Sequence, residues 1–111
     1  MKDRFSTEPL PLQLGAIAAN LARIRSFSDH PEHMTIVEGM IAETIGFVEF
    51  LLSHPRSDHP EELPELREWL TLQASDWNAI CASRDAVASV AAEAGLWSDR
   101  VLQRSGLLNA G

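Results

Sequence analysis

Six prolines, at positions 9, 11, 31, 55, 60 and 64, divide the chain, and none follows Pro64. Proline removes a backbone N–H and clashes with the preceding turn, so it suits a helix's first turn and disrupts its interior. The stretches between proline clusters must therefore carry the regular structure, and each has helix length.

The apolar residues in those stretches recur three and four apart. Leu14, Ile17, Leu21 and Ile24, with Leu10 and Ala18 on the same side, predict a helix over 10–27. A second, over 31–53, has a stripe of Met34, Val37, Ile41, Ile45, Val48 and Leu52. Ile36, Met40, Phe47 and Leu51 widen that stripe to about half the circumference, more than a surface helix carries. Its other side holds Thr35, Gly39, Ala42 and Gly46. A glycine costs about 1 kcal/mol relative to alanine inside a helix, so this small-residue side suggests a closely packed neighbour.

A third helix, over 60–82, follows Leu63, Leu66, Leu70, Ala74, Trp77 and Cys81, with Pro64 in its first turn. A fourth, over 84–104, uses Val87, Val90, Ala91, Ala94, Trp97 and Val101; Ser83 is its N-cap and Gly95 a candidate kink. No stretch alternates apolar and polar residues as a strand would. The expected fold is all-α, an antiparallel up-down four-helix bundle. It forms a single helical domain over 1–111, with flexible tails at 1–8 and 105–111.

The pentapeptide SDHPE occurs at Ser28–Glu32 and again at Ser57–Glu61. Each copy precedes a predicted helix, and Asp29 with Glu32, or Asp58 with Glu61, has the spacing of a capping box. Shifted by the same interval, Met34, Val37, Ile41, Val48 and Leu51 fall on Leu63, Leu66, Leu70, Trp77 and Ile80. Similar packing explains that agreement as well as duplication does. A helix of this length spans roughly 34 Å, so the copies lie at opposite ends of a bundle. All ligands of one metal must lie about 2.0–2.2 Å from it, so His30, His33, His54 and His59 cannot share one ion. The pairs His30/His33 and His54/His59 are weak local candidates only. None has an H-E-x-x-H or E-x-x-H spacing, and no cofactor is expected.

A single cysteine, Cys81, excludes a disulfide framework or a thiolate zinc cluster and fits a reducing compartment. Met1-Lys2-Asp3-Arg4 is not followed by a signal-like apolar run, and no stretch approaches the roughly 18–20 apolar residues of a membrane span. The expected location is the cytoplasm, with no membrane contact. Net charge is −7, and residues 29–65 carry nine acids against Arg56 alone. Such a surface repels phosphate backbones, so nucleic acid is not an expected partner. Arg25 and His30 have an R-x4-H spacing found in helical ribonuclease-like domains, but here it crosses a helix-to-helix turn in an acidic chain and carries little weight. No histidine stands in the mid-helix context of a phosphoryl relay.

Three polar residues fall on apolar faces. Gln73 lies among Leu66, Leu70, Trp77 and Ile80, and Thr44 occupies the matching place on the second helix. A buried amide needs a hydrogen bond, so the pair suggests a polar layer setting helix register, or a ligand pocket. Glu43 borders Ile36, Phe47 and Phe50, and burial there would call for Arg23 or Arg25 as partner. Trp69, Trp77 and Trp97 are spread over two helices and form no obvious cage. The leading expectation is a small acidic interaction or regulatory module that forms a homodimer or binds another helical protein, more readily than an enzyme. The alternative is a small-molecule- or metal-binding bundle using Thr44, Gln73 and Glu43 or the histidine-bearing helix ends.

Overall fold

Proline placement and apolar period together decide where helices begin. A computed structural model describes residues 9–53 and 61–105. These form α1 (Leu10–Phe27), a 3₁₀ turn (Pro31–His33), α2 (Met34–Ser53), α3 (Leu63–Ser75), α4 (Trp77–Cys81) and α5 (Arg84–Ser105). The chain is all-α, with no strand among the described residues. The tails at 1–8 and 106–111, and with them His54, Asp58 and His59, lie outside the described residues.

The first helix matches its predicted bounds. Pro9 holds an extended backbone before it, and its carbonyl accepts the N–H groups of Leu12 and Gln13. Leu10, Leu14, Ile17, Leu21 and Ile24 are all buried, the stripe read from the sequence. Val37, Ile41, Val48 and Leu51 of α2, Leu63, Leu66 and Leu70 of α3, and Val90, Ala94, Trp97 and Val101 of α5 join them in one core. Each buried leucine, isoleucine or valine among them contributes about 1.5–3 kcal/mol by leaving water.

Helix α1 is the hub, sharing its most extensive contact with α5 and the next with α2, while α3 packs on α2. Side chains tie α3 to α5: Trp69 Nε1 donates to Glu93 Oε2 at 2.6 Å, and Arg104 Nε to Glu62 Oε2 at 2.6 Å. Partner numbers fall on α5 as they rise on α3, so the two run antiparallel.

Four sequence expectations need correction. The third helix is not continuous: it breaks at Asp76, whose φ of −99° and ψ of 13° leave the helical region. Beyond the break α4 packs on α5, burying Trp77 and Ile80; Ala74 and Cys81, assigned to the stripe, are exposed. The Asp29–Glu32 capping box does not form. Pro31 opens a 3₁₀ turn whose N-cap is His30, without a side-chain cap bond, which leaves Asp29 one residue too early. On the small-residue side of α2, Gly39 has no close neighbour: it is exposed, and a Cβ there would meet nothing within 4 Å. Close packing occurs instead between α1 and α5, where Ala18, Ala91 and Ala94 are buried and a Cβ on Gly95 would lie 2.9 Å from Arg25 Cδ. Helix α5 runs through Gly95 unbroken. Ser83 does cap it, its Oγ accepting the Ala86 N–H at 3.2 Å.

Candidate functional site

Helical spacing places Ile36, Met40, Glu43 and Phe50 on one face of α2, at the margin of its buried stripe. Leu12, Ala16 and Arg23 share the outer face of α1 in the same way. Asn20 joins the two faces. Its Nδ2 donates to Glu43 Oε1 at 3.0 Å, and its Oδ1 accepts from Arg23 Nη1 at 3.2 Å. Asn20 is buried, Glu43 half-buried and Arg23 exposed. The sequence pointed to Arg23 or Arg25 as the partner of Glu43. Arg23 instead reaches it through the Asn20 amide, while Arg25 lies along α5 against Gly95.

The surface around this polar node is apolar. Leu12 is 47% exposed and Ile36 48%, while Ala16, Met40 and Phe50 are half-buried against the core. Scattered exposed apolar residues are ordinary; Leu12 and Ile36 share the outer side of two adjoining helices. Leu72 and Leu96 are more exposed, at 56% and 65%. They flank groups whose polar bonds are already closed: Trp69 on Glu93, and Arg100 4.7 Å above the Trp97 ring. Trp69 and Trp97 themselves are 6.5 Å apart.

The other polar positions are satisfied locally. Thr44 is fully buried, and its Oγ1 donates to the Met40 carbonyl at 2.6 Å, one turn back. Gln73 is half-buried, and its Nε2 donates to the Trp69 carbonyl at 3.1 Å. Each bonds within its own helix, and no hydrogen bond joins them into a shared layer among the described residues.

His30 and His33 do come together, ring centroids 5.1 Å apart, with Phe27 5.2 Å from His33. His30 Nδ1 is 3.8 Å from exposed Glu32, while His33 Nδ1 is buried without a hydrogen-bond partner. No three His, Cys, Asp or Glu side chains converge as metal ligands among the described residues.

Beside this turn the first SDHPE copy lines a cleft of about 540 Å³. Ser28, Asp29 and Met34 form one wall, and Cys81, Arg84 and Val87 the other. Cys81 is exposed; the protein around its sulfur and, secondarily, the Glu38 carboxylate push its thiol above the ordinary value. That disfavours the nucleophilic thiolate.

Sequence reading missed Asn20, the residue that organises the α1–α2 surface. Its only signal was an amide beside the apolar period of α1. No known protein family matches the chain, nor does any curated protein or solved structure match it.

Proposed function

We propose that this chain is a small helical protein–protein interaction module that self-associates through the outer face of α1 and α2. One observation carries the reading: Leu12 and Ile36 stand half-exposed on the outer side of α1 and α2, on either side of the polar Asn20 node. Contiguous exposed apolar surface rimmed by polar groups is what association sites present. An acidic protein with one cysteine and no described helix apolar enough to cross a membrane fits an assembly role in the cytoplasm. Sedimentation across a concentration series tests the reading. A concentration-dependent dimer that Ile36→Glu converts to monomer is expected. A wild-type chain that stays monomeric throughout overturns it.

A second reading, small-molecule binding, is favoured by the end cleft. Asp29 and Arg84 both line it, and neither has an ion-pair partner among the described residues. Opposite charges beside the apolar Met34 and Val87 suit a small zwitterionic molecule such as an amino acid. Thermal-shift measurements with amino acids, on wild type and on Arg84→Ala, test it: stabilisation lost in the variant supports binding, and none in wild type removes it.

A further inference from the structure

We propose that the end cleft binds an amino acid with a long apolar side chain, its ammonium on the Ser28–Asp29 wall and its carboxylate on Arg84. This rests on the small-molecule reading above and specifies the ligand's orientation and side-chain class.

The cleft has two walls of opposite character. Ser28 and Asp29 follow the end of α1 on one, and Arg84 opens α5 on the other. Ser28 is only 7% exposed, and its hydroxyl donates its hydrogen to the Ile24 carbonyl. A hydroxyl has one hydrogen and two lone pairs, so toward the cleft Ser28 Oγ can only accept. The ionised Asp29 carboxylate beside it also only accepts. That wall takes a positively charged donor, which the negative end of the α1 dipole favours further. A guanidinium has donors only, so the Arg84 wall takes an anion. No ion pair joins Asp29 to Arg84 among the described residues. The two charges stand on opposite walls without closing on each other, and a molecule with an ammonium and a carboxylate fits between them.

The remaining lining decides the side chain. Met34, Val87, Ala88 and Ala91 are apolar, with Ala91 buried and Met34 and Val87 half-buried. Once the two charged ends of the ligand are held, the Cys81 thiol, a weak donor, is the one polar side chain left on these walls. A polar ligand side chain would exchange water for no partner there, whereas an apolar one gains with every methylene it buries. The volume of about 540 Å³ falls within the roughly 300–1,000 Å³ of small-molecule sites, so a side chain longer than alanine's has room.

NMR titration of the full chain with alanine, 2-aminobutyrate, norvaline and norleucine tests this, because the series adds one methylene at a time. Shifts should gather at residues 28–34 and 81–91, the two walls. The Kd should fall about two- to fourfold per methylene, fourfold being the value for complete burial. Norleucinamide, which lacks the carboxylate, should bind wild type about tenfold more weakly than norleucine does, and Arg84→Ala no more weakly. Hexanoate, which lacks the ammonium, should likewise lose about tenfold against wild type and much less against Asp29→Asn. Ala88 is exposed, so Ala88→Leu adds bulk to the cleft without entering the core. It should block norleucine while leaving the far-UV spectrum unchanged. A Kd indifferent to chain length, undiminished losses on the charge variants, or full binding by Ala88→Leu overturns this inference alone. No shift with any of the four amino acids overturns the small-molecule reading with it.

Discussion

Ser98 Oγ on α5 donates its hydrogen to the backbone carbonyl of Ala18 on α1 at 2.8 Å, across eighty residues of sequence. The bond joins the two helices that share the most extensive contact of the fold, beside the buried Ala18, Ala94 and Gly95. It predicts that Ser98→Ala is mild and Ser98→Leu severe. The alanine variant loses one buried bond, about 1 kcal/mol, because the Ala18 carbonyl remains inside α1. A fall in Tm of about 4–8 °C would register this. The leucine variant must part the two helices, and should unfold at least a further 1–3 kcal/mol more easily, about the cost of overpacking.

Asn20 predicts a second stability effect. Asn20→Ala removes the donor to Glu43 and the acceptor for Arg23, and should cost about 1–3 kcal/mol in urea unfolding. Asn20→Asp instead places a carboxylate against Glu43. Like charge raises the folded-state pKa of such a pair, so this variant should be weakest near neutrality and recover relative to wild type as acid protonates the pair. A defect that deepens on acidification would contradict the arrangement.

Glycine substitutions should separate the two faces of α2 and α5. Gly39→Ala adds a methyl that meets nothing within 4 Å, so it should gain up to about 1 kcal/mol of helix propensity. At Gly95 the new Cβ would lie 2.9 Å from Arg25 Cδ, and that exposed side chain must swing away. Gly95→Ala should therefore raise Tm less than Gly39→Ala does.

Cys81 should alkylate slowly at neutral pH although it is exposed. Its thiol is raised by local desolvation and, less strongly, by Glu38, so the thiolate fraction stays below that of an ordinary cysteine until more alkaline pH. Glu38→Gln removes one of the two causes and should speed iodoacetamide labelling at fixed pH. An unchanged rate would remove Glu38 from the account.

Much of the fold is legible in the chain because it rests on local rules. Pro9 and Pro11 with the Leu14–Ile24 period bound α1, and Ser83 caps α5, since proline chemistry, capping and amphipathic spacing act over a single turn. The break at Asp76 was not legible, because it depends on α4 finding a surface on α5. Thr44 and Gln73 suggested a shared layer because periodicity shows which face a residue occupies. It does not show that a hydroxyl or amide can turn back to its own helix carbonyl.

Sequence alone determined that this chain is helical, where most of its helices lie and which stripes are buried. Tertiary structure decided which helices touch closely and what their edges expose. Gly39 of α2 looked like a close contact, yet it is exposed, and Ala18, Ala94 and Gly95 pack between α1 and α5. Asn20 looked like a polar interruption, yet it couples Arg23 of α1 to Glu43 of α2. The physical reason is the same in both cases. Burial of a stripe follows from its period, but the rotation and separation of neighbouring helices follow from how all the side chains between them fill space at once.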